Sequence, residues 1–507
     1  MKSATWSRSV AALAGVVVAA VLVSCGSPSA DPTPSPSSPS DDARLASFYQ
    51  QKPVWRSCAG GDLCTEIEVP LNYSDPQAKS IKVAVLKVPA KDPAKRIGTL
   101  VVNPGGPGGS GVEYAQQVPF TWSPDLVSAY DIVGFDPRGV GKSTPIDCMD
   151  DKQTQRFVAT TGAPSDPAQL AAVVDVTSTV GATCERNSAY LTPFVGTVAV
   201  ARDTDILRGA LGETKLNFLM KSYGTFIGLT YVDLFADHVG RTVIDGVIDP
   251  TLTNDQLAGG QSKGFQAALS RFIADCPKHR DCPLPAGQDK GLATIQAFLA
   301  KVAITPLKAS PGRPLTRPIA GNAFVATMYD NTDGWPALRV ALGSALAGDG
   351  SMMLDIVDAF TGREPDGSYP KNSIDVLYAV NCLDRPDRAD VPQTQALSVE
   401  WAKTAPTYGP DLAWGNLPCH DWPAPATDAP HTISGAGAPP ILVVGTVNDP
   451  ATPYPWAVAT AKQLVGSSLL TWNGDGHTAY GRGSKCVDAL VDGFLVGGNL
   501  PPNPSTC

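Results

Sequence analysis

The stretch Leu216-Asn217-Phe218-Leu219-Met220-Lys221-Ser222-Tyr223-Gly224-Thr225 decides how the rest of the chain is read. An apolar, strand-like run breaks abruptly at Ser222-Tyr223-Gly224. Phe226, Ile227, Tyr231, Leu234 and Phe235 then recur at three- and four-residue spacing, the period of a helix. Strand, sharp turn, serine and helix make a nucleophile elbow, which lifts a hydroxyl above the end of a sheet. A serine in that place is a candidate nucleophile.

A serine hydroxyl reacts weakly until a histidine accepts its proton and a carboxylate orients the histidine. The chain has 5 histidines: His238, His279, His420, His431 and His477. Only His477 lies in a glycine-bracketed loop, Asn473-Gly474-Asp475-Gly476-His477, just after a predicted strand. The carboxylate expected to orient it is Asp449, in Gly445-Thr446-Val447-Asn448-Asp449-Pro450-Ala451-Thr452-Pro453. Asp475 is the rival acid, but it is too near His477 in sequence to reach the far ring nitrogen easily. An oxyanion hole is expected from Asn103-Pro104-Gly105-Gly106-Pro107-Gly108-Gly109-Ser110-Gly111. A loop without side chains can aim backbone N–H groups at a developing negative oxygen. The donors would be the N–H groups of Gly106 and of Tyr223, the residue after the serine.

Working outward, apolar β-branched runs at residues 81–88, 99–103, 132–136, 216–221 and 242–248 read as strands, and 199–211 and 225–238 read as helices. After Pro250 the strand signal fades into a mostly helical region broken by Pro/Gly-rich pieces such as 306–318. Strands return at 441–446 and 469–472, followed by a helix at 487–496. The pattern predicts an α/β fold: one mostly parallel sheet interrupted by a largely helical cap before its last strands. The corresponding divisions are a core over 44–250, a cap over 251–435, and a second core segment over 436–507 carrying the acid and the base.

The N-terminus sets the compartment. Lys2 and Arg8 precede an apolar run from Val10 to Val23, followed by Ser24 and Cys25. A basic start, a short apolar core and small residues describe a secretory signal over 1–25. Its end on Cys25 resembles the lipobox of bacterial lipoproteins, which implies lipidation there and a membrane-anchored, exported body. An uncleaved anchor helix is the alternative, against which the run is short. Residues 26–43 form a Pro/Ser-rich tether with no large apolar residue to nucleate a fold. Lipidation of Cys25 leaves 10 of the 11 cysteines, an even set suited to an oxidising compartment. Proximity suggests Cys58–Cys64, Cys148–Cys184, Cys276–Cys282, Cys382–Cys419 and Cys486–Cys507, although spacing alone leaves the connectivity open.

The formal charge is −9 and no Lys/Arg block interrupts it, which argues against nucleic acid as a partner. Scattered histidines and the lack of repeated C-x-x-C argue against zinc, and no organic cofactor is implied.

The segments NPGGPGGSG, DPRGVGKS (136–143), SYGT, DPATP and GDGH together resemble the tripeptidyl aminopeptidase branch of the proline-iminopeptidase family. These are secreted serine exopeptidases of the α/β-hydrolase fold, and the likeness runs from Val54 to Cys507. The order Ser222, Asp449, His477 is that of an α/β-hydrolase. The resemblance implies an aminopeptidase that takes peptides by a free N-terminus through an acyl-enzyme. It implies Asp384, in Asn381-Cys382-Leu383-Asp384, as an acidic grip on the substrate's amino group. Otherwise Asp384 is a surface partner of Arg385 or Arg388. Arg138 is expected to brace its loop, and His420 to be structural.

One departure stands out: the family pattern G-x-S-x-G has Met220 at its first position. A methionine there needs extra room beside a strained serine. Lys221, next to the serine, could perturb the site's electrostatics or point away. Two other classes therefore stay open: an envelope esterase or lipase using the same triad, and a weakly active or inactive hydrolase-fold lipoprotein.

Overall fold

The computed structural model describes residues 42–309 and 312–507. The expected leader, Cys25 and nearly all of the tether lie outside the described residues. Among the described residues, no helix is long and apolar enough to cross a membrane.

Ten strands build one sheet: β1 (Arg56–Ser57), β2 (Leu63–Pro70), β3 (Ser80–Val88), β4 (Gly98–Asn103), β5 (Tyr130–Phe135), β6 (Leu216–Lys221), β7 (Val239–Asp245), β8 (Ile441–Asn448), β9 (Ser468–Asp475) and β10 (Ser505–Thr506). Their spatial order is β1-β2-β3-β5-β4-β6-β7-β8-β9-β10. The edge formed by β1, β2, β3 and β5 is antiparallel. From β5 through β4 to β10 every pairing is parallel. β7 pairs directly with β8, so the chain segments before and after the helical insertion complete one sheet.

The central strands are mostly apolar because helices cover both faces. Period-two alternation divides them. Leu100, Val102, Leu219, Val243, Leu442 and Val444 face helices Gly111–Thr121, Pro124–Ala129 and Lys485–Gly497. Val101, Phe218, Met220, Ile244 and Val443 face Thr197–Leu211, Gly224–Leu234 and Tyr454–Gln463. From β4 the chain crosses to β5 on one side and later returns to β6 on the other. The loops after β4 and β6 therefore open side by side at the point where strand order reverses, the usual place for a site in such a sheet.

Between β7 and β8 the named elements are helical. They include Asn254–Asp275, Gln288–Ile304, Arg317–Met328, Gly334–Leu346 and Ser351–Thr361, which share an apolar cluster of their own. Helix Ser373–Asp384 differs, since Val376, Ala379, Val380 and Leu383 pack into the main core. All five disulfides suggested by proximity are formed.

Two strand expectations are corrected. β2 escaped a search for apolar runs because Glu66 and Glu68 alternate with buried Ile67 and Val69 on a strand solvated on one face. β7 spans Val239–Asp245 rather than 242–248, since Gly246 turns the chain at φ +69°.

Met220 is fully buried, paired with Asn103 on β4 and Ile244 on β7. The room it needs comes from the helix that follows the serine. A Cβ on Gly228 would lie 3.2 Å from Met220 Cγ, so the helix carries no side chain where the strand carries a large one. Met220→Gly, which restores the family glycine, is expected to leave a cavity and destabilise the protein by about 3–5 kcal/mol in chemical denaturation. It should not speed the reaction of Ser222 with a serine-directed probe.

Candidate active site

β6 ends at Lys221, and Ser222 takes a left-handed backbone with φ 55°. For a non-glycine residue this is costly and persists only where the surroundings enforce it. Here the Ser222 N–H donates to Asp245 O at 3.0 Å, and Ser222 O accepts from Thr225 N at 2.9 Å and Thr225 Oγ1 at 2.6 Å. Gly224 opens the helix where a Cβ would lie 2.7 Å from Asn103 Oδ1. The serine is half-buried.

Asp449, beyond β8, is buried, and His477 Nδ1 lies 2.9 and 3.0 Å from its two oxygens. The backbone N–H groups of Ala451, Thr452 and Thr478 and the Thr452 hydroxyl also donate to this carboxylate. Burial pushes the Asp449 carboxyl up, but the charge and hydrogen bond of His477 and the N–H groups of Thr452 and Thr478 hold it below the usual range. A carboxylate held ionised against Nδ1 keeps the proton there and leaves Nε2 to act as a base. Nε2 is buried and has no hydrogen-bond partner among the described residues. The rival Asp475 is occupied, forming an ion pair with Arg271 of the helical insertion. His238, His279 and His431 face Asp205, Asp275 and Asp233, and His420 faces Arg388 O.

Ser222 and His477 both border Asp245-Gly246, and no hydrogen bond joins the serine to Nε2 among the described residues. Asp245 O holds the Ser222 N–H, and a Cβ on Gly246 would lie 3.3 Å from His477 Cε1. Asp245 also accepts from Ala479 N and Tyr480 N, the residues just past the histidine. Lys221 points away from the reacting atoms: its Nζ donates to Tyr480 O at 2.6 Å and lies 4.0 Å from Asp245 Oδ2. Lys221 and Asp245 therefore clamp the loop of the base. On the opposite side His477 N donates to Tyr329 O at 2.9 Å, and the Tyr329 ring packs edge-on against the imidazole.

The glycine loop lies against the serine. A Cβ on Gly105 would fall 2.8 Å from both Ser222 Cβ and Tyr223 N. Asn103 Oδ1 accepts the Gly105 N–H and Gly105 O accepts the Gly109 N–H, which shapes the turn. The N–H groups of Gly106 and Tyr223 donate to no acceptor among the described residues. Arg138 is fully buried on Asp203 and the carbonyls of Pro70, Leu71 and Phe194, as expected of a brace.

Asp384 is placed otherwise than expected. It is 1% exposed, and Thr197 occupies both oxygens, through its N–H at 2.7 Å and its hydroxyl at 2.6 Å. It is not on a solvated surface as a partner of Arg388, and both its oxygens accept from Thr197. Sequence reading also passed over Asp245, Thr452, Thr197 and Tyr329. Asp245 could have been found from the Asp-Gly step closing a strand, whereas Thr197 carries no local signal.

Residues 98–289 match the α/β hydrolase fold family, and residues 405–507 match the family described as TAP-like protein. Serine protease Hip1 of Mycobacterium tuberculosis is 34% identical over 491 residues, covering 92% of this chain and 93% of that protein. The chain belongs to the TAP-like α/β hydrolases. Among the other relatives of this hydrolase, carboxylesterase B of M. tuberculosis is 34% identical over 88% of this chain and 86% of its own length. Tripeptidyl aminopeptidase of Streptomyces lividans is 30% identical over 89% of this chain and 86% of its own. The hydrolase is thus a serine hydrolase by family.

Burial pushes the Asp384 carboxyl up to about 6, against the opposing charge of Arg385 and the bonds from Thr197. Its ordinary value is 3.8, so between these values the folded hydrolase holds a proton that the unfolded chain releases. Its contribution to stability is complete below about pH 4 and is lost as the pH rises through about 6, with a total on the order of 3 kcal/mol. Asp384→Asn is expected to reduce the fall in unfolding free energy across that window in denaturant titrations at a series of pH values.

Proposed function

We propose that this protein is an exported serine exopeptidase, an aminopeptidase that cleaves peptides from a free N-terminus through an acyl-enzyme. The observation that carries this reading is the contact of His477 Nδ1 with both Asp449 oxygens, with Nε2 unpartnered and Ser222 and His477 both bordering Asp245-Gly246. Ser222 attacks the scissile carbonyl as His477 Nε2 takes its proton, and Asp449 holds the imidazole and stabilises its charged form. The N–H groups of Gly106 and Tyr223 stabilise the oxyanion. The imidazolium then protonates the leaving amine, and water activated by the same histidine releases the acyl product. Relatives named as a serine protease and a tripeptidyl aminopeptidase support peptide bonds as the target. A relative named as a carboxylesterase supports a second reading, ester hydrolysis by the same residues.

Fluorophosphonate labelling is expected to modify the wild-type protein and to be abolished by Ser222→Ala; an unlabelled wild type would refute the catalytic reading. Peptidyl-amide substrates should be cleaved only with a free N-terminus. Efficient cleavage of N-acetylated peptides, or of esters alone, would favour the second reading.

The basic start, apolar run and Cys25 support export and lipid anchoring, and five disulfides fit an oxidising compartment. Expressed in a bacterium with lipoprotein processing, the full chain should enter the detergent phase on Triton partitioning and incorporate labelled palmitate. Cys25→Ala should abolish both.

A further inference from the structure

We propose that Asp384 and Thr197 are positioning residues for the reaction, which act through the side chain of Tyr223 to hold that residue's backbone N–H beside Ser222. The proposal rests on the serine-hydrolase reading above, but not on peptides being the substrate.

Three residues far apart in sequence form a continuous hydrogen-bonded line. The Tyr223 hydroxyl meets Thr197 Oγ1, and Thr197 Oγ1 donates to Asp384 Oδ2. The Thr197 N–H donates to the other carboxylate oxygen, Oδ1, so threonine is fixed in both backbone and side chain. Above about pH 6, where Asp384 is ionised, the direction of donation is forced. An ionised carboxylate only accepts, which commits the threonine hydrogen to Asp384 and leaves its lone pair for the tyrosine O–H. All three side chains are buried: Thr197 0%, Asp384 1% and Tyr223 4% exposed.

The line joins three elements. Thr197 opens helix Thr197–Leu211, Tyr223 precedes helix Gly224–Leu234, and Asp384 closes helix Ser373–Asp384. Gly196 makes the approach possible, since a Cβ there would lie 2.7 Å from Thr427 Oγ1 and 3.3 Å from Asp384 Oδ1. The neighbouring guanidinium of Arg385 donates to Leu252 O and stacks over Phe226, so it offsets the buried carboxylate only in part. Burying a carboxylate this way is unfavourable in itself, so the arrangement secures geometry more than stability.

The geometry matters because of what lies at the other end of Tyr223. Its backbone N follows a serine with φ 55°, and the Gly105 loop presses on it, a Cβ at Gly105 lying 2.8 Å away. A strained turn relaxes unless its neighbours are anchored. The helix supplies no side-chain cap at Tyr223, so the phenol is the anchor that reaches beyond the elbow. Oxyanion donors act through placement, and small displacements of such groups reduce rates steeply. In this arrangement the family acid at position 384 orients the oxyanion donor and does not touch the substrate.

The test compares purified wild type with Thr197→Val, Thr197→Ser, Tyr223→Phe and Asp384→Asn. It measures fluorophosphonate labelling rate, kcat and KM on a free-amine peptidyl amide, selectivity against the N-acetylated peptide, and melting temperature. Thr197→Val and Tyr223→Phe are expected to slow labelling and lower kcat by roughly tenfold, with KM within about twofold and folding retained. Thr197→Ser should recover most of the loss. Asp384→Asn should leave the preference for a free N-terminus unchanged. Unaltered labelling and kcat in Thr197→Val and Tyr223→Phe would overturn the proposal. So would a loss of selectivity confined to Asp384→Asn, which would make it a grip on the ammonium. A wild type that labels but fails to cleave peptides would refute the peptidase reading alone, and the labelling rates would still test the positioning line.

Discussion

The left-handed backbone of Ser222 is the constraint to which the surrounding structure answers. A residue with φ 55° between a strand and a helix must be held on every side. Asp245 and Thr225 hold its own amide and carbonyl, and glycines at 105, 224 and 228 let neighbouring elements approach. The flanking side chains diverge. Lys221 runs to the loop of the base, and Tyr223 runs to a threonine and a carboxylate beneath the helical insertion. A single strained turn thereby ties together three separate stretches of chain.

The fold was legible where burial alone dictates residue choice. Central parallel strands are covered on both faces, so β4, β6 and β8 read as unbroken apolar runs, and the elbow is a sharp break in one of them. β2 was not legible to the same criterion, because a one-sided strand carries glutamates at alternate positions. Asp449 and His477 could be chosen because each follows a strand in a loop rich in turn residues, and chain order narrowed the set.

Other features depended on contacts that no local pattern encodes. Asp384 sits in a stretch resembling a ligand-binding acid, yet its surroundings come from residues 196–197 and 427, far away in sequence. The accommodation of Met220 by Gly228 is likewise a relation between two positions, visible only once strand and helix are packed. A residue that looks damaging against a motif can be accommodated when the facing position is a glycine.

The carbonyl of Tyr329 accepts the main-chain N–H of His477, and the flanking Asp330–Arg482 and Arg271–Asp475 pairs tie the same helical insertion to the same loop. The helical insertion and the loop that carries His477 are thus mechanically joined. If the insertion moves away from the sheet, that loop must either travel with it or lose three of its supports. Displacement of the insertion and placement of the imidazole then become a single equilibrium.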